Sequence, residues 1–106
     1  MLLIVRIPGH IEPLERGERF EDPLDAALQT ARLGEVTGGG TQLSEPDADG
    51  CCRILFCEIE VNLTDLGESL PIVRQELSRL QVPAGTTLHY EMNGAEHEEP
   101  CPQPNK

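Results

Sequence analysis

Aromatic side chains are scarce: the 106 residues include two Phe, one Tyr and no Trp. The core must therefore be aliphatic, built from Leu, Ile and Val with Ala filling. A platform of stacking aromatics of the kind that reads single-stranded RNA cannot be assembled from so few rings. Basic residues are also few, 8 Lys and Arg against 19 Asp and Glu, for a formal net charge of −11. Binding to phosphate backbones or anionic lipid heads depends on clustered Lys and Arg, so neither nucleic acid nor a membrane is expected as a partner. A field of this sign keeps the chain soluble and attracts basic partners. Long apolar runs are missing too. Nothing approaches the ~20 consecutive apolar residues of a membrane span. The opening "MLLIVRIP" has neither a basic region before it nor a small-residue cleavage site, so it does not read as a secretory signal. A cytoplasmic protein is expected, and in that compartment the four cysteines stay reduced.

The length is that of one domain, expected over residues 1–94, with 95–106 a flexible tail rich in Pro and Glu. Residues 2–7, "LLIVRI", are almost wholly apolar, as suits a central strand. Residues 8–21 are charged and broken by Pro and Gly, and read as a long loop. Asp22 as N-cap, Pro23 in the first turn and Gly34 past the end bracket a helix over 23–33 with Leu24, Ala27, Leu28 and Ala31 on one stripe. "EVTGGGTQLS" suits an edge strand with a bulge or a point of close backbone approach. In "RILFCEIEVNL" the odd-numbered residues from Leu55 to Leu63 face the helical layer and the even-numbered ones face away. Ser69 is read as the N-cap of a second helix over 69–81, with Leu70, Val73, Leu77 and Leu80 buried. Leu88, Tyr90 and Met92 alternate with His89 and Glu91 in a last strand, and Asn93-Gly94 is a type I′ turn signal that could add a short terminal hairpin.

This β-α-β-β-α-β order resembles the ferredoxin-like fold. The resemblance is one of topology over about residues 1–93 and carries no functional motif. It implies an α+β, two-layer sandwich: a four-stranded antiparallel sheet with two helices on one face, the first and third strands central.

Cys57, between Leu55 and Ile59 on the core-facing side, reads as a small buried apolar residue. Cys51 and Cys52 precede that strand. With the half-pattern His97-x₃-Cys101 they are the available pieces of a zinc site. "GEVTGGGTQ" lacks the Lys-Ser/Thr of a phosphate loop, and no cofactor is expected. No Ser-His-Asp or Cys-His arrangement can be argued from spacing, so enzymatic activity is neither required nor excluded. On the sheet face away from the helices, Arg6, Glu58, Glu60, His89 and Glu91 form the candidate ligand or metal site. Leu2, Ile4, Ile54 and Phe56 point the same way, and in parallel first and third strands they would gather at one end. Apolar area of that extent points to an interaction surface. The reading is a non-enzymatic interaction or regulatory module, homodimeric or bound to a protein partner through its open sheet face. The alternative is a small-molecule or metal-binding domain using the Arg6 cluster.

Overall fold

A computed structural model describes residues 1–101. Strand β1 (Leu2–Pro8) leads into a helical run made of α1 (Pro13–Arg16), a π-helical turn (Gly17–Glu21) and α2 (Asp22–Ala31). Strands β2 (Gly34–Leu43) and β3 (Ile54–Leu63) follow, then α3 (Leu66–Arg79), β4 (Thr87–Met92) and β5 (Ala95–Pro100). The sheet order is β2-β3-β1-β4-β5, and all neighbouring pairs are antiparallel. The fold is thus α+β, one antiparallel sheet with two helical segments, and the sheet has five strands where four were expected. Among the described residues no helix is long and apolar enough to cross a membrane.

One face of the sheet holds the core. Leu3, Val5 and Ile7 of β1, Cys57, Ile59 and Val61 of β3, and Leu88 of β4 are fully buried there against Phe20, Leu24 and Leu28 of the helical run and Val73 and Leu77 of α3. The expected side-chain parity of β3 holds from Cys57 to Leu63. Leu55 departs from it: the β2–β3 ladder slips there, Gln42 pairing with Phe56 and Leu43 with Ile54, and Leu55, skipped by that register, is exposed.

The helices start earlier than expected. Residues 13–21, read as loop, are helical, because Pro13 fits a first helical turn and Phe20, placed in the core, anchors the segment. Asp22 therefore lies inside a continuous helical run, with φ −63° and ψ −47°, and is not an N-cap. The left-handed residue that ends the run is Arg32 (φ 60°). Gly34 instead begins β2, where its backbone passes so close to the carbonyl oxygen of Asn62 that a side chain would collide with it. The cap of α3 is Asp65, whose Oδ1 accepts from the Glu68 N–H at 3.0 Å. Pro71 is accommodated one turn inside that helix, and Ser69 is buried. β2 carries its bulge at Thr37, between Val36 and Gly38.

The C-terminal segment is the largest difference. Asn93 (φ 55°) and Gly94 (φ 79°) form the hairpin turn that their types favour, and residues 95–100 pair with β4 as β5 instead of trailing as a tail. Arg74 of α3 clamps Glu99 of that strand with hydrogen bonds of 2.7–3.1 Å. Cys101 follows, buried, its N–H donating to the Thr86 carbonyl at 2.8 Å. The rest of the expected tail, residues 102–106, lies outside the described residues.

Candidate functional site

Because both helical segments cover the same face, the opposite face of the sheet is open. Even-numbered residues of β1, even-numbered residues of β3 from Phe56 onward and odd-numbered residues of β4 point into it, and directly paired residues share it. The register sets out its rows. Glu58 faces Arg6, which faces Thr87, and one row on, Glu60 faces Ile4, which faces His89 and then Glu98. Arg6 Nε and Nη2 donate to Glu58 Oε2 at 3.1 and 2.9 Å, and the guanidinium lies 4.6 Å from the Phe56 ring centroid. His89 Nε2 lies 2.7 Å from the Thr87 hydroxyl and 3.6 Å from Glu98.

The five residues proposed as a ligand or metal site are all on this face, yet they do not converge. Arg6 is engaged by Glu58 and Phe56. Ile4 stands between Glu60 and His89, two strand spacings or roughly 9–10 Å apart. Among the described residues no three His, Cys, Asp or Glu side chains are grouped to hold a metal ion.

The apolar quartet is divided as well. β1 and β3 run antiparallel, so Leu2 lies opposite Asn62 and Ile4 opposite Glu60, while Phe56 lies opposite Pro8. Leu2 and Ile4 therefore occupy one end of the face and Phe56 the other, with the Arg6–Glu58 pair between them. Ile54 leaves this face: the ladder slips at Leu55, so Phe56 pairs with Gln42 but Ile54 with the next residue, Leu43, which points the other way. At the first end Met1 and Leu2 are 57% and 58% exposed. They border an open depression of about 830 Å³ whose walls include Ile4, His89, Tyr90, Glu91, Glu96 and Glu98. Glu91 and Glu96 are direct cross-strand partners, and like charges in that position repel.

The four proposed zinc ligands are not brought together. His97 and Cys101 are four residues apart along one extended run, about 13 Å, whereas a zinc ion holds each ligand at about 2.0–2.3 Å. His97 stacks on Tyr90 with centroids 5.5 Å apart, and Cys51 and Cys52 are exposed in the 44–53 connection. Burial raises the Cys57 thiol pKa above its ordinary value despite the opposing field of Arg16. Burial, helped by Glu99, pushes Cys101 up to about 11. Neither thiol is poised as a nucleophile.

Sequence reasoning missed two features. The first is the acidic border supplied by Glu96 and Glu98, hidden because residues 95–106 were read as a tail. The Asn93-Gly94 turn, already read as able to add a short terminal hairpin, was the signal for it. The second is a largely buried pair, Arg16 and Glu21, with side chains 11% and 16% exposed and 3.4 Å apart. The π-helical turn brings these i and i+5 residues to one side, and Arg16 Nη1 donates to the Gly40 carbonyl and the Thr41 hydroxyl, both at 2.9 Å. With Asp25 Oδ1 accepting from the Val36 N–H at 2.8 Å, side chains of the helical run occupy edge groups of β2. The other edge, β5, carries Glu96, Glu98, Glu99 and Pro100, which discourage strand addition. Both edges are guarded, and the uncovered face is what the fold leaves available.

Comparison with family models, curated proteins and solved structures found no match for this chain.

Proposed function

We propose that this protein is a non-enzymatic interaction module that binds a basic protein partner through the open face of its sheet. The observation that carries the reading is the whole sheet face left uncovered while both sheet edges are guarded. Electrostatics favour a basic partner over a second copy. The face and its β5 border present Glu58, Glu60, Glu91, Glu96 and Glu98 against Arg6 and His89, and an isologous dimer would set this acidic surface against itself. The strand order β2-β3-β1-β4 with one helical segment after β1 and one after β3 supports a ferredoxin-like reading in which β5 is an added edge strand. Sheet-face binding is common in that architecture, by analogy only.

Side-by-side retention from lysate on immobilised wild-type protein and on a Leu2→Lys/Ile4→Lys variant tests the proposal. A basic protein held by the wild type and lost from the variant is expected. Equal retention by both, or none by either, overturns it. The alternative of a ligand site at Arg6, Glu58, Glu60, His89 and Glu91 has the weaker support, since Arg6 already has its partners. A rise in melting temperature with a bound small molecule or metal would favour it.

A further inference from the structure

The depression at the Met1 end of the open face has two properties that together specify an occupant. Its floor is apolar: Met1, Leu2 and Ile4 line it, and the first two are more than half exposed. Its borders are acidic. Glu91, Glu96 and Glu98 line it from β4 and β5, with His89 among them, and Glu60 stands just outside it on β3, opposite Ile4. Among the described residues Glu60, Glu91 and Glu96 have no ion-pair partner, and Glu91 directly faces Glu96 across the β4–β5 ladder. That juxtaposition costs stability in the unbound protein, and a cation placed between the two carboxylates would relieve it. The positive groups nearby are otherwise occupied. The Met1 amino group donates to Asn62 Oδ1 at 3.1 Å and to the Leu63 carbonyl at 2.7 Å, and His89 lies against Thr87. The opposite end of the face differs, since Arg6 lies over Phe56 and adds positive charge where an apolar contact would form.

We infer that this end of the sheet docks a short protein segment in which an aliphatic side chain is flanked by Lys or Arg. The aliphatic group fills the depression over Leu2 and Ile4, one basic residue meets Glu60, and the other lies between Glu91 and Glu96. Cross-strand spacing sets the scale. Glu60 and Glu98 bracket the β1 and β4 backbones across three strand spacings, about 14 Å. In an extended segment, residues i and i+4 lie about 13 Å apart, so a five-residue stretch spans the site. The inference rests on the open-face reading and narrows it to one end and one partner chemistry.

An NMR titration of isotope-labelled protein with a capped Lys-Ser-Leu-Ser-Lys pentapeptide at low salt tests it, since residues 1, 3 and 5 of an extended segment share one face. Glu-Ser-Leu-Ser-Glu and Lys-Ser-Ser-Ser-Lys serve as the Glu-Leu and Lys-Ser comparison peptides. The expected result is saturable binding of the Lys-Leu peptide with shifts centred on Leu2, Ile4, His89 and Glu91. Binding should weaken about fivefold in a Glu91→Gln/Glu96→Gln variant, as the loss of two exposed charge contacts implies. The Glu15→Gln/Glu18→Gln control, on the helical run, should leave it unchanged. The Glu-Leu peptide should not bind, and the Lys-Ser peptide should bind more weakly. Shifts centred on Phe56 would overturn the inference while leaving the open-face reading standing. Equal weakening by the control variant, equal binding of the Lys-Ser peptide, shifts on the helical face, or no binding would each overturn the inference itself.

Discussion

The triple glycine of β2 permits a test in which the same substitution at adjacent positions has opposite effects. Gly39 faces the helical layer. A Cβ built there would sit 2.7 Å from the Glu58 backbone carbonyl oxygen, 2.7 Å from Glu21 Oε1 and 3.2 Å from Arg16 Nε. The side-chain atoms can move, but only by disturbing a pair that is largely shielded from water. The Glu58 oxygen belongs to a paired strand and cannot move far. Gly40 points to the open face, and a Cβ there would meet nothing within 4 Å. Overpacking of the kind expected at Gly39→Ala costs about 1–3 kcal/mol. In a domain of this size that lowers the melting temperature by roughly 5–20 °C. At Gly40→Ala, with no strain to offset it, the lower entropy of the unfolded chain stabilises the protein by about 0.4–1 kcal/mol. Thermal denaturation followed by circular dichroism reads both, with urea midpoints as a check. If Gly39→Ala melts at or above the temperature of Gly40→Ala, the placement of the helical run on β2 is wrong.

Three further outcomes follow from the same structure. Asp65→Ala should destabilise the protein by about 1 kcal/mol through loss of the α3 cap, with Asp65→Asn recovering most of it, measured by urea denaturation. Thiol titration with a chromogenic disulfide should show Cys51 and Cys52 reacting at once and Cys57 and Cys101 only on unfolding, since the first two are exposed and the others buried; four equally fast thiols would contradict the packing. Stability should also fall in alkali. An ordinary thiol ionises near 9.0 and Cys101 in the fold near about 11, so below 9 both states keep the proton and the contribution is intact. Between those values the unfolded chain alone releases it, and stability drops by up to ~1.4 kcal/mol per pH unit before levelling off. The raised Cys57 pKa acts in the same direction. A Cys101→Ala variant should show a shallower decline in urea midpoint between pH 8 and 10, and an identical decline would refute the burial of that thiol.

Local pattern was enough wherever one residue type reports one environment. The alternation of β3 placed Cys57, Ile59 and Val61 in the core and Glu58 and Glu60 outside, because side chains in a strand alternate with period two whatever their partners. The Asn93-Gly94 turn was legible because few other residue types tolerate that backbone shape; the bulge in β2 falls at Thr37, next to the glycines that suggested it. Helix starts were misjudged where two signals competed. Pro71 argued for a cap at Ser69, although the Asp65-x-x-Glu68 spacing holds the cap the structure uses, and Gly17 and the charges around it concealed a helix that Phe20 holds in the core.

An acidic, aliphatic-cored α+β domain was legible from composition, charge and periodicity, which are properties of single residues and their near neighbours. Tertiary contacts were needed to set β1 and β3 antiparallel, which parts Leu2 and Ile4 from Phe56 and sets Arg6 against Glu58, and to slip the β2–β3 ladder at Leu55, which turns Ile54 to the other face and breaks up the foreseen apolar cluster. They also pair residues 95–100 with β4 and bring Glu96 opposite Glu91. Strand direction and register depend on contacts between residues far apart in the chain, and a single strand's pattern carries no information about which neighbour it will meet.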